Sequence, residues 1–206
     1  MSEEAMILHG SPTLAGIKTG SLFRYPYETA EQMRDALRHW NRSFLKKGLR
    51  VIPLSYRDHK ALLYLYRPSR LLKDLQNETA CRILSERGYC VDSPERCICC
   101  LMRRLRENEE FPHEIGLFLG YPAEDVCGFL EHRECDLKCV GCWKVYGDEI
   151  AAQKKFEQYR KCSEIYRRRW KSGTPIDRLT VSQFTGKEKK FETKSQITAI
   201  EKGTTK

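Results

Sequence analysis

The sequence predicts an α+β fold in which a small mixed or antiparallel sheet of about four strands packs against helices. Two strand patterns lie side by side in the first third of the chain, and two steps from a strand to a helix follow later. Several other segments carry apolar residues at helical spacing. We expect one domain over residues 5–181, followed by a basic tail over residues 182–206.

The first clear helix pattern runs from Thr29 to Gly48. Thr29 and Gln32 form a capping-box pair, in which each side chain satisfies a free backbone N–H group. Gly48 follows the pattern, as a helix C-cap commonly does. The apolar residues at helical spacing are Met33, Leu37, Trp40 and Phe44.

A β-hairpin follows this helix. Residues 50–56 and 60–66 are read as two strands, and the short polar segment 57–59 joins them. A short polar connection of this kind favours antiparallel pairing. Pro68 ends the second strand because proline has no N–H group to donate.

Two further helices are predicted from their starting residues. Asn77 caps a helix that ends near Gly88, and Ser93 with Pro94 begins another that runs to about residue 108.

Two steps from a strand to a helix complete the fold. The apolar run 114–119 is read as a strand, and Pro122 then begins a helix. Residues 138–146 are read as another strand, which leads through Asp148 into a long helix. One side of that helix carries Ala152, Phe156, Tyr159, Cys162, Tyr166 and Trp170.

Three strings of the sequence resemble a bacterial protein family. They are SPTLAGIKTGSLF at residues 11–23, FPHEIGLFLGYPAEDVCGFLEH at residues 111–132 and CVGCWKVYGD at residues 139–148. The family is domain of unknown function family 3793, and the resemblance covers most of residues 7–181. It implies no particular reaction, so function has to be sought in the side chains.

The positive charge is concentrated at one end of the chain. The net charge is +9, and residues 167–206 hold 11 Lys and Arg against 4 Asp and Glu. Residues 1–166 are nearly neutral, with 26 basic against 24 acidic residues. The tail has few large apolar residues, which predicts disorder. Arg167, Arg168 and Arg169 and the tail are the candidate contacts for nucleic acid or an acidic partner, although a solvated extension is the favoured reading.

The sequence predicts a cytoplasmic protein without a membrane span. No apolar run approaches the roughly 20 residues that a membrane helix requires. Glu3 and Glu4 occupy positions where a secretory signal carries positive charge. In the cytoplasm the ten cysteines should be thiols rather than disulfides.

Three of these cysteines have a spacing that is compatible with metal binding. Cys135, Cys139 and Cys142 form a C-x3-C-x2-C pattern, whose thiolates could bind Zn or an iron–sulfur cluster. Candidates for a fourth ligand are Cys127, His132 and Cys162. The alternative is that these cysteines pack in the core as small apolar residues.

A ligand or anion pocket is the second candidate site. Its residues would be His9, Thr13, Lys18, His113, Glu114 and Lys144. Arg67 is a further cation that could join them. The simpler alternatives are that Ser11 or Thr13 caps a following helix, and that the small residues of segment 14–23 allow close packing.

Two hypotheses of function follow from these candidates. The leading one is a cytoplasmic metal-binding or thiol-redox accessory protein that uses the late cysteines. The alternative is a binding module for nucleic acid or an acidic partner. An enzyme with a pocket near His9, Lys18 and His113 is conceivable, but the sequence gives it no reaction.

Overall fold

The computed structural model describes residues 3–107, 110–131 and 134–183. The helices are α1 (Glu4–Leu14), α2 (Ala30–Phe44), α3 (Pro68–Leu75), α4 (Glu78–Glu86), α5 (Pro94–Glu107), α6 (Ile115–Phe118), α7 (Ala123–Leu130), α8 (Glu149–Lys171) and α9 (Ile176–Leu179). The strands are β1 (Gly20–Pro26), β2 (Arg50–Arg57), β3 (Lys60–Tyr66), β4 (Cys139–Val140) and β5 (Lys144–Val145). Of the tail predicted over residues 182–206, residues 184–206 lie outside the described residues, and so does the candidate ligand His132.

The α+β class is confirmed, with the strands divided between two sheets. The larger sheet is antiparallel in the order β1-β3-β2, and β4 pairs with β5 in a separate hairpin. The predicted hairpin of β2 and β3 turns at Asp58 and His59, whose φ angles are 49° and 55°. Two successive residues with positive φ give a turn whose twist matches that of the strands.

Helices cover both faces of the three-stranded sheet. One face contributes Phe23, Val51 and Leu63 to a core shared with α1, α2 and α8. The opposite face contributes Leu54 and Tyr64 to a core shared with α3, α4, α5, α6 and α7. A smaller cluster joins the β4–β5 hairpin to α8. The hairpin and α8 together carry most of the residues of the candidate site described below.

The predicted helix starts are confirmed by their capping bonds. The Thr29 hydroxyl accepts a hydrogen bond from the backbone N–H of Gln32 at 3.2 Å, and the Asn77 side chain caps α4 in the same way. Asp148 caps α8. Gly48, which ends the helical segment, has a φ of +68°.

Two of the predicted strands are wrong. Residues 114–119 contain the short helix α6, in which Ile115, Leu117 and Phe118 are all buried. A segment that is buried on every side has no polar face, so its period cannot distinguish a helix from a strand. Residues 138–146 form the β4–β5 hairpin rather than one strand.

The first 26 residues also differ from the prediction. Ser11 and Thr13 lie inside α1 and do not cap a following helix. Segment 14–23 leads into β1, which pairs with the central strand β3.

In the part of the chain that the structure describes, no helix is both long enough and apolar enough to cross a membrane.

Candidate functional site

A tight turn after α1 positions Lys18. The backbone N–H groups of Ile17 and Lys18 both donate to the carbonyl oxygen of Pro12, at 3.0 and 3.1 Å. Gly16 has a φ of +75°, a left-handed conformation that glycine adopts without strain. The chain therefore turns at Gly16, and Lys18 lies just before β1.

The Lys18 ammonium contacts aromatic rings rather than a carboxylate. Its Nζ atom lies 5.4 Å from the centroid of the Tyr121 ring and 5.8 Å from that of Tyr159, within cation–π range. Among the described residues, no carboxylate is within 4.0 Å of this atom. Burial lowers the pKa of Lys18 to about 8, and the neighbouring Cys142 opposes part of that shift.

The β4–β5 hairpin brings Cys142 close to Lys18. Gly141 packs so closely on Phe156 of α8 that a Cβ atom there would lie 2.2 Å from the ring. The hairpin is thus held against α8, and the residue Cys142 is exposed to solvent. Partial burial of the thiol raises the pKa of Cys142, and the charge of Lys18 opposes this by favouring the thiolate.

Lys18 and Cys142 line an open cleft, which we call the Lys18 cleft. It has a volume of about 370 Å³ and lies between the end of α1, the hairpin and α8. Its other charged or titratable lining residues are His9, Tyr159, Arg160, Glu164 and Arg167. Arg160 and Glu164 form an ion pair at 2.9 Å. The cleft therefore has an excess of positive charge, in Lys18 and Arg167.

The three cysteines of the predicted metal site do not come together. Among residues 3–107, 110–131 and 134–183, no group of three His, Cys, Asp or Glu side chains is placed to hold a metal ion. The Cys135 thiol faces Asp136 at 3.8 Å, the Cys139 thiol interacts with Glu149, and Cys142 faces Lys18. Each sulfur has a different neighbour because Cys135 precedes the hairpin, Cys139 lies on β4 and Cys142 lies in the turn between β4 and β5.

The residues of the predicted anion pocket are also divided. His9 and Lys18 line the Lys18 cleft, whereas His113 and Lys144 line a separate apolar pocket. The Thr13 hydroxyl is buried and hydrogen-bonded to that of Ser21 at 2.9 Å.

Glu114 belongs to a buried ion-pair network. Its carboxylate accepts hydrogen bonds from Arg104 Nε at 2.9 Å and from the Tyr89 hydroxyl at 2.8 Å. Arg87 lies 4.0 Å from its other oxygen. Burial, followed by the charge of Glu114, raises the pKa of Tyr89, which keeps its hydroxyl a donor. These partners tie α5 to the segment before α6.

Arg67 is fully buried and does not join an anion pocket. Its guanidinium donates to the backbone carbonyl oxygens of Thr13, Leu14 and Val181 at 2.7 to 2.8 Å. A longer bond of 3.3 Å reaches the carbonyl of Lys47. Burial lowers the pKa of Arg67 to about 10. Its donors are therefore engaged in holding three segments of the chain together.

The three arginines of the predicted partner site lie on α8 and face different directions. Arg167 lines the Lys18 cleft. Arg167 and Arg168 are exposed, and Arg169 is half-buried. Successive residues of a helix are about 100° apart, so the three side chains do not form one surface.

The sequence did not identify Tyr121, Tyr159 and Arg160 as site residues. Tyr159 belongs to the predicted apolar side of α8, and Tyr121 lies between the strand predicted over 114–119 and the helix predicted to begin at Pro122. Their contacts with Lys18 bridge more than a hundred residues of chain, and no local pattern marks such a contact.

The fold and the site together define an α+β protein with a cationic cleft between its hairpin and its longest helix. The chain belongs to the family described as "Protein of unknown function (DUF3793)", whose family model matches residues 6–180. No curated protein and no solved structure matches the chain.

Proposed function

We propose that this protein is a thiol-dependent accessory protein that binds a small anionic molecule in the Lys18 cleft and presents the Cys142 thiol to it. The observation that carries the proposal is the Lys18 ammonium, which lies beside Cys142 in an open cleft with no carboxylate of the described residues in ion-pair range. An anion bound there would supply the missing countercharge.

Several features of the cleft support an anionic ligand. Arg167 adds a second positive charge, and the pairing of Arg160 with Glu164 leaves that carboxylate partly neutralised. The faces of Tyr121 and Tyr159 attract the ammonium and fix its position. A bound anion would raise the pKa of Lys18 again, so binding should weaken as the pH rises through about 8.

The thiol chemistry follows from the same contacts. The Cys142 thiolate can attack one sulfur of a small anionic disulfide, forming a mixed disulfide and releasing the other half as a thiolate. The positive charge of Lys18 stabilises the attacking thiolate and attracts the anion. Cys139 faces Glu149 instead of Cys142, so the chemistry would stop at the mixed disulfide.

The metal version of the late-cysteine hypothesis has less support, because Cys135, Cys139 and Cys142 each face a different neighbour. A cytoplasmic setting suits the thiol version, since all ten cysteines are unpaired.

The nucleic-acid alternative is supported by the exposure of Arg167 and Arg168 at the end of α8. The test is to measure the affinity for nucleic acid across salt concentrations, because phosphate contacts should make that affinity fall steeply as the salt concentration rises.

The test compares two alkylating reagents that differ in charge. Iodoacetate carries a carboxylate and iodoacetamide does not; in both, the thiolate forms a C–S bond and iodide leaves. At pH 7, we expect the rate ratio of iodoacetate to iodoacetamide to be about 3 to 10 times higher at Cys142 than at the exposed Cys99. Tandem mass spectrometry separates Cys142 from Cys139.

The test variant is Lys18→Met, and its matched control is Lys144→Met. Both lysines lie over aromatic rings, but only Lys18 faces Cys142. Lys18→Met should reduce the ratio at Cys142 to that of Cys99, and Lys144→Met should leave it unchanged. An equal ratio at Cys142 in the wild type and in Lys18→Met would refute the proposal.

A further inference from the structure

A second cavity lies beside the Lys18 cleft. The two share no lining residue, although Tyr121, which lines the second cavity, also contacts Lys18. This apolar pocket has a volume of about 270 Å³. Its walls include Phe111, Leu119, Tyr121, Val126, Phe129 and Trp143. Four of these six side chains are aromatic, which suits a flat ligand that stacks against rings.

The back of the apolar pocket is held rigid by Asp125. One carboxylate oxygen accepts a hydrogen bond from Trp143 Nε1 at 2.7 Å, and the other accepts from the backbone N–H groups of Tyr146 and Gly147. These bonds fix the plane of the indole ring, which stacks on Tyr121 with 4.8 Å between centroids. Three donors also offset the negative charge of Asp125, so this carboxylate repels an anion less.

The mouth of the pocket carries His113 and Lys144, which are both exposed. The His113 ring packs against Phe129 with 4.9 Å between centroids, and Lys144 Nζ lies 5.2 Å from the centroid of the same ring. No carboxylate in the described part of the chain lies within 4.0 Å of Lys144 Nζ. The pocket thus combines an aromatic interior with a cation at its opening.

We propose that the apolar pocket binds a small planar aromatic carboxylic acid. The ring system would lie among Phe129, Tyr121 and Trp143, and the carboxylate would lie at the mouth near Lys144. Since a dry cavity of about 150 Å³ holds benzene, a volume of about 270 Å³ suits two fused rings. The proposal does not depend on the function of the Lys18 cleft.

The test uses three probes that share a naphthalene ring and differ in charge. They are 2-naphthoate, neutral 2-naphthol and the cation 2-naphthylmethylammonium, each titrated into the full chain by calorimetry. We expect 2-naphthoate to bind with a Kd on the order of 0.1 mM. The cation should bind at least about tenfold more weakly, because it approaches Lys144 with the same charge.

Two variants separate the ring contacts from the charge contact. Lys144→Gln changes an exposed residue and should weaken 2-naphthoate about 3- to 10-fold while leaving 2-naphthol unchanged. Leu119→Trp fills the pocket and should abolish binding of both probes, with the near-ultraviolet circular dichroism checking that it folds. Lys18→Met should leave 2-naphthoate unchanged, which keeps this result independent of the Lys18 cleft.

Three results would overturn the proposal. They are the absence of 2-naphthoate binding to the wild type at millimolar concentration, equal affinities for the anionic and cationic probes, and an unchanged preference for the anion in Lys144→Gln. Because Lys144 is exposed, its variant decides the question even if Leu119→Trp does not fold.

Discussion

Arg67 and Lys18 are two buried or partly buried cations in the same part of the fold, and they use their donors in opposite ways. Neither has a carboxylate within ion-pair distance among the described residues. The Arg67 guanidinium is bonded to backbone carbonyl oxygens from three segments of the chain, at residues 13–14, 47 and 181. The Lys18 ammonium instead contacts two aromatic faces and lies beside a thiol.

This difference separates a structural cation from a candidate binding cation. A buried charge with a full set of hydrogen-bond acceptors stabilises the segments that supply them. A charge that lacks acceptors costs free energy in the isolated fold and has donors left for a ligand. The two residues should therefore respond to the same substitution with opposite signs.

The largest effect is expected for Arg67→Met. The substitution removes four guanidinium hydrogen bonds to backbone carbonyl oxygens. The oxygens of Thr13 and Leu14 keep a backbone donor each, whereas that of Val181 keeps none among the described residues, and we expect a loss of about 3 to 5 kcal/mol in the free energy of unfolding. Urea denaturation measures it. The control is Arg38→Met at an exposed ion pair, which should change stability by less than about 0.5 kcal/mol. Similar losses for both variants would show that Arg67 is not a structural cation.

The next largest effect is expected for Glu114→Gln. It tests whether a buried anion with several donors stabilises the fold as Arg67, a buried cation with several acceptors, is expected to do. The neutral amide keeps the shape of the side chain but no longer balances Arg104 and Arg87, so we expect a loss of about 2 kcal/mol. Thermal unfolding at pH 7 measures it. Glu86→Gln, at an exposed ion pair with Arg82, is the matched control. A loss no larger than the control's would contradict the network described for Glu114.

The smallest effect is expected for Lys18→Met, and its sign is opposite. Burial lowers the pKa of Lys18 from 10.5 to about 8, so the charged form is disfavoured in the fold. Below pH 8 this cost is present in full, and we expect the methionine variant to be more stable by about 1 kcal/mol. The whole lowering of the Lys18 pKa would correspond to a larger stability difference, but the ammonium retains access to solvent, which reduces it.

The pH dependence sharpens this prediction. Between about pH 8 and 10.5 the unfolded chain holds the Lys18 proton while the folded chain has released it. The wild type therefore gains stability as the pH rises, and its difference from Lys18→Met should shrink. Urea denaturation at pH 7, 8 and 9 follows the difference. A wild type that is more stable than the variant at pH 7 would contradict the comparison.

The elements that follow local rules could be predicted from the sequence. The capping residue Thr29, the end of the helical segment at Gly48 and the hairpin of β2 and β3 each depend on residues within a few positions of one another. By contrast, α6 is buried on every side, and β1 contains small residues that resemble a loop. Their structures depend on what packs against them.

The candidate site was predicted only in part. Lys18 and Cys142 were each identified, one as a cation of a pocket and the other as a metal ligand. Their pairing was not, because the turn at Gly16 and the tip of the hairpin meet only in the folded chain. The spacing of Cys135, Cys139 and Cys142 suggested a common centre, but the first precedes the hairpin, the second lies on β4 and the third lies in the turn, so each thiol has a different neighbour.

The carbonyl of Val181 has a consequence for how the chain folds. The Arg67 guanidinium is fully hydrogen-bonded only when Val181, which lies 114 residues further along the chain, is in place. Until then, a buried charge in the first half of the protein has incomplete pairing, and closing so long a loop is entropically costly. During synthesis at about 5 to 20 residues per second, we therefore expect Arg67 to become fully hydrogen-bonded only after Val181 has left the ribosome.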